Sequence, residues 1–146
     1  MRISGTSIDT TRQAVKDWLK IFHLKDICLD YSPKLPSSVE ALLTKKLYLT
    51  AGSLLRLLQR KRLDHVPWIK STLESTDLVL QEQDFYLFVK EIGCQDRVFC
   101  SCAKDFETKF IVVGNAYKRV ATLKNKIKKG ARVVYKNENA VNMFII

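Results

Sequence analysis

The sequence predicts an α+β domain in which N-terminal helices pack on a four- or five-stranded antiparallel sheet. Three observations lead there. Apolar runs at 85–89, 98–102 and 110–113 are short, rich in Val, Ile, Phe and Tyr, and separated by polar turns at 93–96 and 104–108, which is the pattern of an antiparallel meander. The chain before them carries apolar residues at helical spacing, and a meander needs one face covered. At 146 residues and 47% hydrophobic content, the chain is long enough for one sizeable core.

Taken in order, residues 1–8 read as a lead-in. Asp9 or Thr10 can cap a first helix, because a short side-chain oxygen accepts an orphan backbone N–H. Val15, Trp18, Leu19 and Phe22 form its inward stripe, and Ser32, Pro33 and Pro36 stop it after about Leu29. Val39, Leu42, Leu43 and Leu47 mark a second stripe, and Leu54, Leu55, Leu57 and Leu58 a third. Gly52 divides them, so the 38–62 stretch is expected to hold two helices, closed by Arg60, Lys61 and Arg62. Pro67 suits the first turn of a further helix that buries Trp68, Ile69 and Leu73. A short strand at 78–80 precedes the meander. After it come a short helix with Val120, Leu123 and Ile127, ending at Gly130, and a strand at 131–135; the apolar tail 141–146 is expected to add an edge strand or to join the core. Residues 1–62 form a helical region and 63–146 the sheet-bearing core of one compact unit.

Formal net charge is +10, and it is uneven: from Phe85 onward there are 12 basic against 5 acidic residues. Such asymmetry points to a polyanion, nucleic acid before membrane. No apolar run reaches the length of a spanning helix, and the polar start does not read as a signal peptide. A cytoplasmic protein, or one delivered into a target cell's cytoplasm, is expected, without a membrane partner. No Gly-rich phosphate loop or HExxH occurs, and two histidines, His23 and His65, supply a metal site poorly. Cys100 and Cys102 share a strand face with Cys94 across a turn, but a fourth ligand and the Cys-x2-Cys knuckle are missing. Buried packing is the expected role of these thiols, with no metal and no cofactor.

His23 reads as structural. His65 opens a helix beside Asp64, where it is either a surface cap or a general acid or base. Lys118, Arg119, Lys124, Lys126, Lys128, Lys129 and Arg132 form an uninterrupted basic run that would bind RNA phosphates by counterion release, unless it is only a solvated face. Tyr117, Tyr135, Phe85 and Tyr86 could stack unpaired bases or belong to the sheet core.

The segments IKSTLESTDLVL, FYLFVK and VVGNAYK stand in the order helix end, strand with a closing lysine, and final strand. Over residues 63–136 this resembles the phage-type branch of the barnase–EndoU–colicin–RelE (BECR) nuclease superfamily. Members of that branch end the helix in Thr-Leu-x-x-Pro-Asp and the sheet in a Thr-Ala-Tyr-like step before a basic tail. Here Thr76 stands at the proline and Asn115 at the hydroxyl residue. The resemblance implies a metal-independent ribonuclease, used as a toxin or as a phage or mobile-element effector. In it the 2′-hydroxyl attacks the adjacent phosphate. His65 would be general acid or base, and Lys70 would reach the same cleft if His65 sits outside the helix. Lys90, Lys118 and Arg119 would stabilise the phosphate, and Asn115 and Tyr117 would orient it or stack a base. RNA, tRNA among the candidates, would be the substrate, and an acidic antitoxin or immunity protein the partner. The alternative is a non-catalytic nucleic-acid-binding or protein-interaction module on the same fold.

Overall fold

A computed structural model describes residues 8–94 and 96–140. The helix α1 spans Ile8–Phe22, and Ala14, Trp18 and Phe22 bury one stripe at steps of four. It ends well short of Leu29. His23 adopts the left-handed conformation at φ 54°, and the Leu24 N–H turns back onto the Leu19 carbonyl at 2.9 Å. This is a Schellman closure, made here without glycine. His23 therefore terminates the helix instead of lying within it.

The 38–62 stretch does hold two helices, α2 (Ser37–Leu42) and α3 (Ala51–Gln59), but a short strand β1 (Leu47–Tyr48) lies between them. Gly52 is no break; it sits in the first turn of α3. That turn is closed by a capping box in which the Thr50 side chain accepts from Ser53 N–H and the Ser53 side chain accepts from Thr50 N–H. A 3-10 turn (Leu63–His65) leads into α4 (Val66–Glu74), which carries Pro67 in its first turn. Then follow β2 (Leu78–Glu82), β3 (Phe85–Cys94), β4 (Arg97–Phe106), β5 (Lys109–Arg119), α5 (Val120–Lys128) and β6 (Arg132–Lys136). The tail at 141–146 lies outside the described residues.

Among the described residues the sheet has six strands, in the order β1-β5-β4-β3-β2-β6. It is mixed, not wholly antiparallel: β1 pairs with β5 in parallel, because the chain reaches β5 only after crossing the helices and the rest of the meander. The other pairings are antiparallel. Helices cover both faces, not one. Trp18, Phe22, Leu54, Leu57, Leu58, Ile69 and Leu73 pack with Val79, Phe88, Phe99, Phe110 and Val112 on the first face. Residues from the N-terminal region and the sheet thus share one core. Val120 and Leu123 of α5 pack with Leu78, Leu80, Leu87, Val89, Val98 and Cys100 on the second. The connection through α5 carries the chain from β5 to the far edge of the sheet.

One irregularity decides which residues of β5 face the first layer. Ala103 pairs with Val112, but Cys102 pairs with Gly114, so β5 holds one extra residue in a bulge. Phe110 and Val112 face the first core before the bulge, and Asn115 and Tyr117 do so after it. With an unbroken period of two, the later pair would point to the opposite face.

Candidate active site

The site is assembled by the way α3 ends. Lys61 takes the left-handed conformation at φ 55°, and Arg62 N–H bonds the Leu57 carbonyl at 2.9 Å, a second Schellman closure. The turn aims Arg62 and His65 at the outer edge of β5. That edge is covered by β1 only at Phe110 and Ile111. Beyond it, backbone carbonyls need side-chain donors. Ser53 Oγ–H donates to the Val112 carbonyl at 2.7 Å, and Arg62 Nη1 donates to the Asn115 carbonyl at 3.0 Å. His65 Nδ1 lies 3.3 Å from the same carbonyl. A carbonyl only accepts, so Nδ1 carries a proton, and in the neutral imidazole the lone pair is on Nε2.

The His65 ring is 7% exposed and stands edge-on to two aromatic rings, Phe99 at 5.3 Å and Tyr117 at 4.7 Å between centroids. Phe99 and Tyr117 are cross-strand partners, 5.2 Å apart and also edge-to-face. Asp64 Oδ1 is 3.9 Å from His65 Nε2 on the solvent side. Burial, followed by the nearby Asp64 charge, raises the Tyr117 phenol above its ordinary value, and the Trp68 indole N–H partly offsets this. The phenol is therefore protonated at neutral pH. Arg62, His65, Trp68 and Tyr117 thus form one polar-aromatic cluster, with His65 buried and the other three half-buried. A groove of about 780 Å³ between α1 and the 3-10 turn touches Asp64, but is lined mainly by Asp17, Lys20, His23 and Pro67.

The remaining expected residues are not gathered there. Asn115 is 4% exposed, and its side-chain oxygen accepts from Ser101 Oγ–H at 2.6 Å. It serves the site through its backbone carbonyl, not through an exposed amide. Lys90 Nζ donates to the Ser75 carbonyl at 2.9 Å and lies 3.7 Å from Asp77 Oδ1, at the far end of α4 from His65. The helix between them is about 14 Å long at 1.5 Å per residue. Lys70 places its amine over the Tyr31 ring, 5.9 Å from the centroid. Tyr31 in turn donates to Glu74, and burial first, then Glu74, raises its phenol.

The basic run divides across the sheet. Arg119 alternates with Tyr117 onto the first face, whereas Lys118 alternates with Val120 onto the second. The helix α5, with Lys124, Lys126, Lys128 and Lys129, covers the second face, and Lys126 pairs with Glu82 at 2.9 Å. Arg132 is exposed on β6, beside Gln81. Of this run only Arg119 stands on the side of the His65 cluster near β5; Lys118, the α5 lysines and Arg132 do not border it. Two residues of the cluster's surroundings escaped sequence reasoning, Arg62 and Arg97. In sequence Arg62 is one of three helix-closing cations, and only the left-handed Lys61 separates its fate from theirs. Arg97 lacked any motif. Among the described residues no group of three His, Cys, Asp or Glu could hold a metal ion, and no helix is long and apolar enough to cross a membrane. No family model, curated protein or solved structure matches the chain.

Proposed function

We propose that this chain is a metal-independent ribonuclease acting on RNA by 2′-hydroxyl transesterification, in the manner of the phage-type nucleases it resembles over residues 63–136. Its role would be that of a toxin or mobile-element effector restrained by an acidic antitoxin or immunity partner. The observation that carries the reading is the orientation of His65. Its Nδ1–H is anchored on the Asn115 carbonyl, which also accepts from Arg62, so Nε2 is turned away from the strand toward Asp64, with the Tyr117 ring edge-on at 4.7 Å between centroids. An imidazole base, a phenol and a guanidinium are the three parts the reaction needs. Nε2 takes the 2′-hydroxyl proton as the O2′–P bond forms. Arg62 offsets charge on the phosphorane. Tyr117 gives its proton to the 5′ oxygen as the P–O5′ bond breaks, and the imidazolium returns a proton to the phenolate. The products are a 2′,3′-cyclic phosphate and a 5′-hydroxyl.

A second reading, a non-catalytic RNA-binding module, is favoured by one fact: Lys90 and the Asn115 amide are engaged in the framework. One experiment separates the two. Purified protein is incubated with RNA, tRNA included, in EDTA, and product termini are identified. Cleavage to cyclic phosphate ends that falls by about two to four decades in His65→Gln supports the nuclease. Binding without cleavage supports the module, and a protein that neither cleaves nor binds RNA refutes both.

A further inference from the structure

Two arginines face each other one rung beyond the Phe99–Tyr117 pair. Arg97 and Arg119 are directly opposed in the β4–β5 ladder, and the register runs unbroken from them to Phe99 and Tyr117. Residues two apart on a strand share a face, so both arginines project on the side of the sheet that holds the His65 cluster. The two rungs are about 6.6 Å apart along the strands. Opposed residues have Cβ atoms about 5 Å apart, and like charges so placed repel. Both side chains are exposed, and among the described residues neither forms an ion pair. Asp96, next in the chain, forms no ion pair with either arginine among the described residues.

A repulsive pair on an otherwise well-satisfied sheet calls for an anion between its members. Two planar guanidinium groups carried on directly opposed positions can match the oxygens of one phosphate. The neighbouring rung presents the half-exposed Tyr117 ring, on which a base can stack. We propose that Arg97 and Arg119 clamp the backbone phosphate flanking the one held at His65 in a bound RNA strand. The assignment of the second phosphate as the scissile one rests on the ribonuclease reading; the clamp itself does not.

The test uses a fluorescent 2′-O-methyl oligoribonucleotide, which lacks the attacking hydroxyl and so reports binding alone. Its affinity is measured across a salt series for the wild type, for Arg97→Gln/Arg119→Gln, and for Arg12→Gln/Lys16→Gln, which removes the same charge from the exposed surface of α1. The clamp variant is expected to bind about tenfold more weakly at low salt. The slope of log affinity against log salt should become shallower by about 0.7, the loss of one neutralised phosphate on a single strand. The control should retain the wild-type slope. A clamp variant indistinguishable from the control overturns the proposal, as does a wild type that does not bind the probe. Without oligonucleotide, the clamp variant should not unfold at lower denaturant than the wild type, since a repulsion has been removed; a lower midpoint would mark the arginines as structural and overturn the clamp. Loss of slope in a protein that cleaves no RNA would uphold the clamp and refute the nuclease. Cleavage with an unchanged slope would do the reverse.

Discussion

Replacing Lys90 with Met tests whether this lysine belongs to the framework or to the chemistry. Its amine donates to the Ser75 carbonyl just past the end of α4 and stands 3.7 Å from the buried Asp77 carboxylate. Asp77 is 2% exposed and accepts from Glu91 N–H at 2.7 Å, Asn137 Nδ2 at 2.7 Å and Asn139 Nδ2 at 3.3 Å. Lys90→Met keeps the aliphatic stem and removes only the ammonium. The charge-assisted bond to Ser75 is worth about 1.5–3 kcal/mol. The ion pair adds a fraction of the roughly 3–5 kcal/mol typical of a fully buried pair, since Asp77 keeps three other donors and Lys90 is 22% exposed. A total loss of about 2–4 kcal/mol is expected, read as a lower urea midpoint at unchanged slope. Asp77→Asn in the same background gives the double-mutant cycle, with an expected coupling of about 1 kcal/mol or more. At a temperature where the variant is folded, RNA turnover in EDTA should stay within about threefold. A hundredfold fall in turnover with stability within 0.5 kcal/mol, roughly the limit of additivity, would refute the reasoning and return Lys90 to the scissile phosphate.

Two further outcomes follow from the second face. Burial pushes the Cys100 thiol up to about 12 from an ordinary value near 9. The folded state holds this proton longer than the unfolded state does. Its stabilising contribution is therefore full below pH 9 and is lost between about 9 and 12, at no more than about 1.4 kcal/mol per pH unit. Cys100→Val should flatten the decline of denaturation free energy across that window, and an unchanged alkaline decline would count against burial as the cause. Because α5 lies opposite the His65 cluster, Lys124, Lys126, Lys128 and Lys129 replaced together by Gln should leave affinity for a short oligonucleotide within about threefold at physiological salt, where the Debye length is about 8 Å. A long RNA able to wrap the sheet should bind more weakly, and a tenfold loss on the short probe would place the helix at the site after all.

The helices and strands were legible where local pattern alone decides them. Trp18 and Phe22, four apart, bury one side of α1 whatever the rest of the chain does, and Pro67 opens α4 by its missing N–H. The ends were less legible: His23 and Lys61 enter the left-handed region without being glycine, and no local signal announces that. Strand β1 was missed because two residues carry no periodicity; its partner, Phe110–Ile111, is more than sixty positions away. Within the site, His65 and Tyr117 were found by residue type and do meet. Lys90 and Lys70 were found the same way and do not join them, since residue type says nothing about which partner an amine will reach first.

The amino-acid sequence by itself determined the α+β class, the order of the elements, the apolar stripes and the surplus of positive charge. Each of these depends on neighbours within a few positions or on composition. Only the tertiary structure decided on which side of the sheet the charges stand. A single extra residue in β5 turns Asn115, Tyr117 and Arg119 toward the helices that hold His65, and the crossover through α5 carries the lysine run to the other face. A bulge and a crossover are set by pairing between strands distant in the chain, so the same basic run reads identically in sequence whichever face receives it.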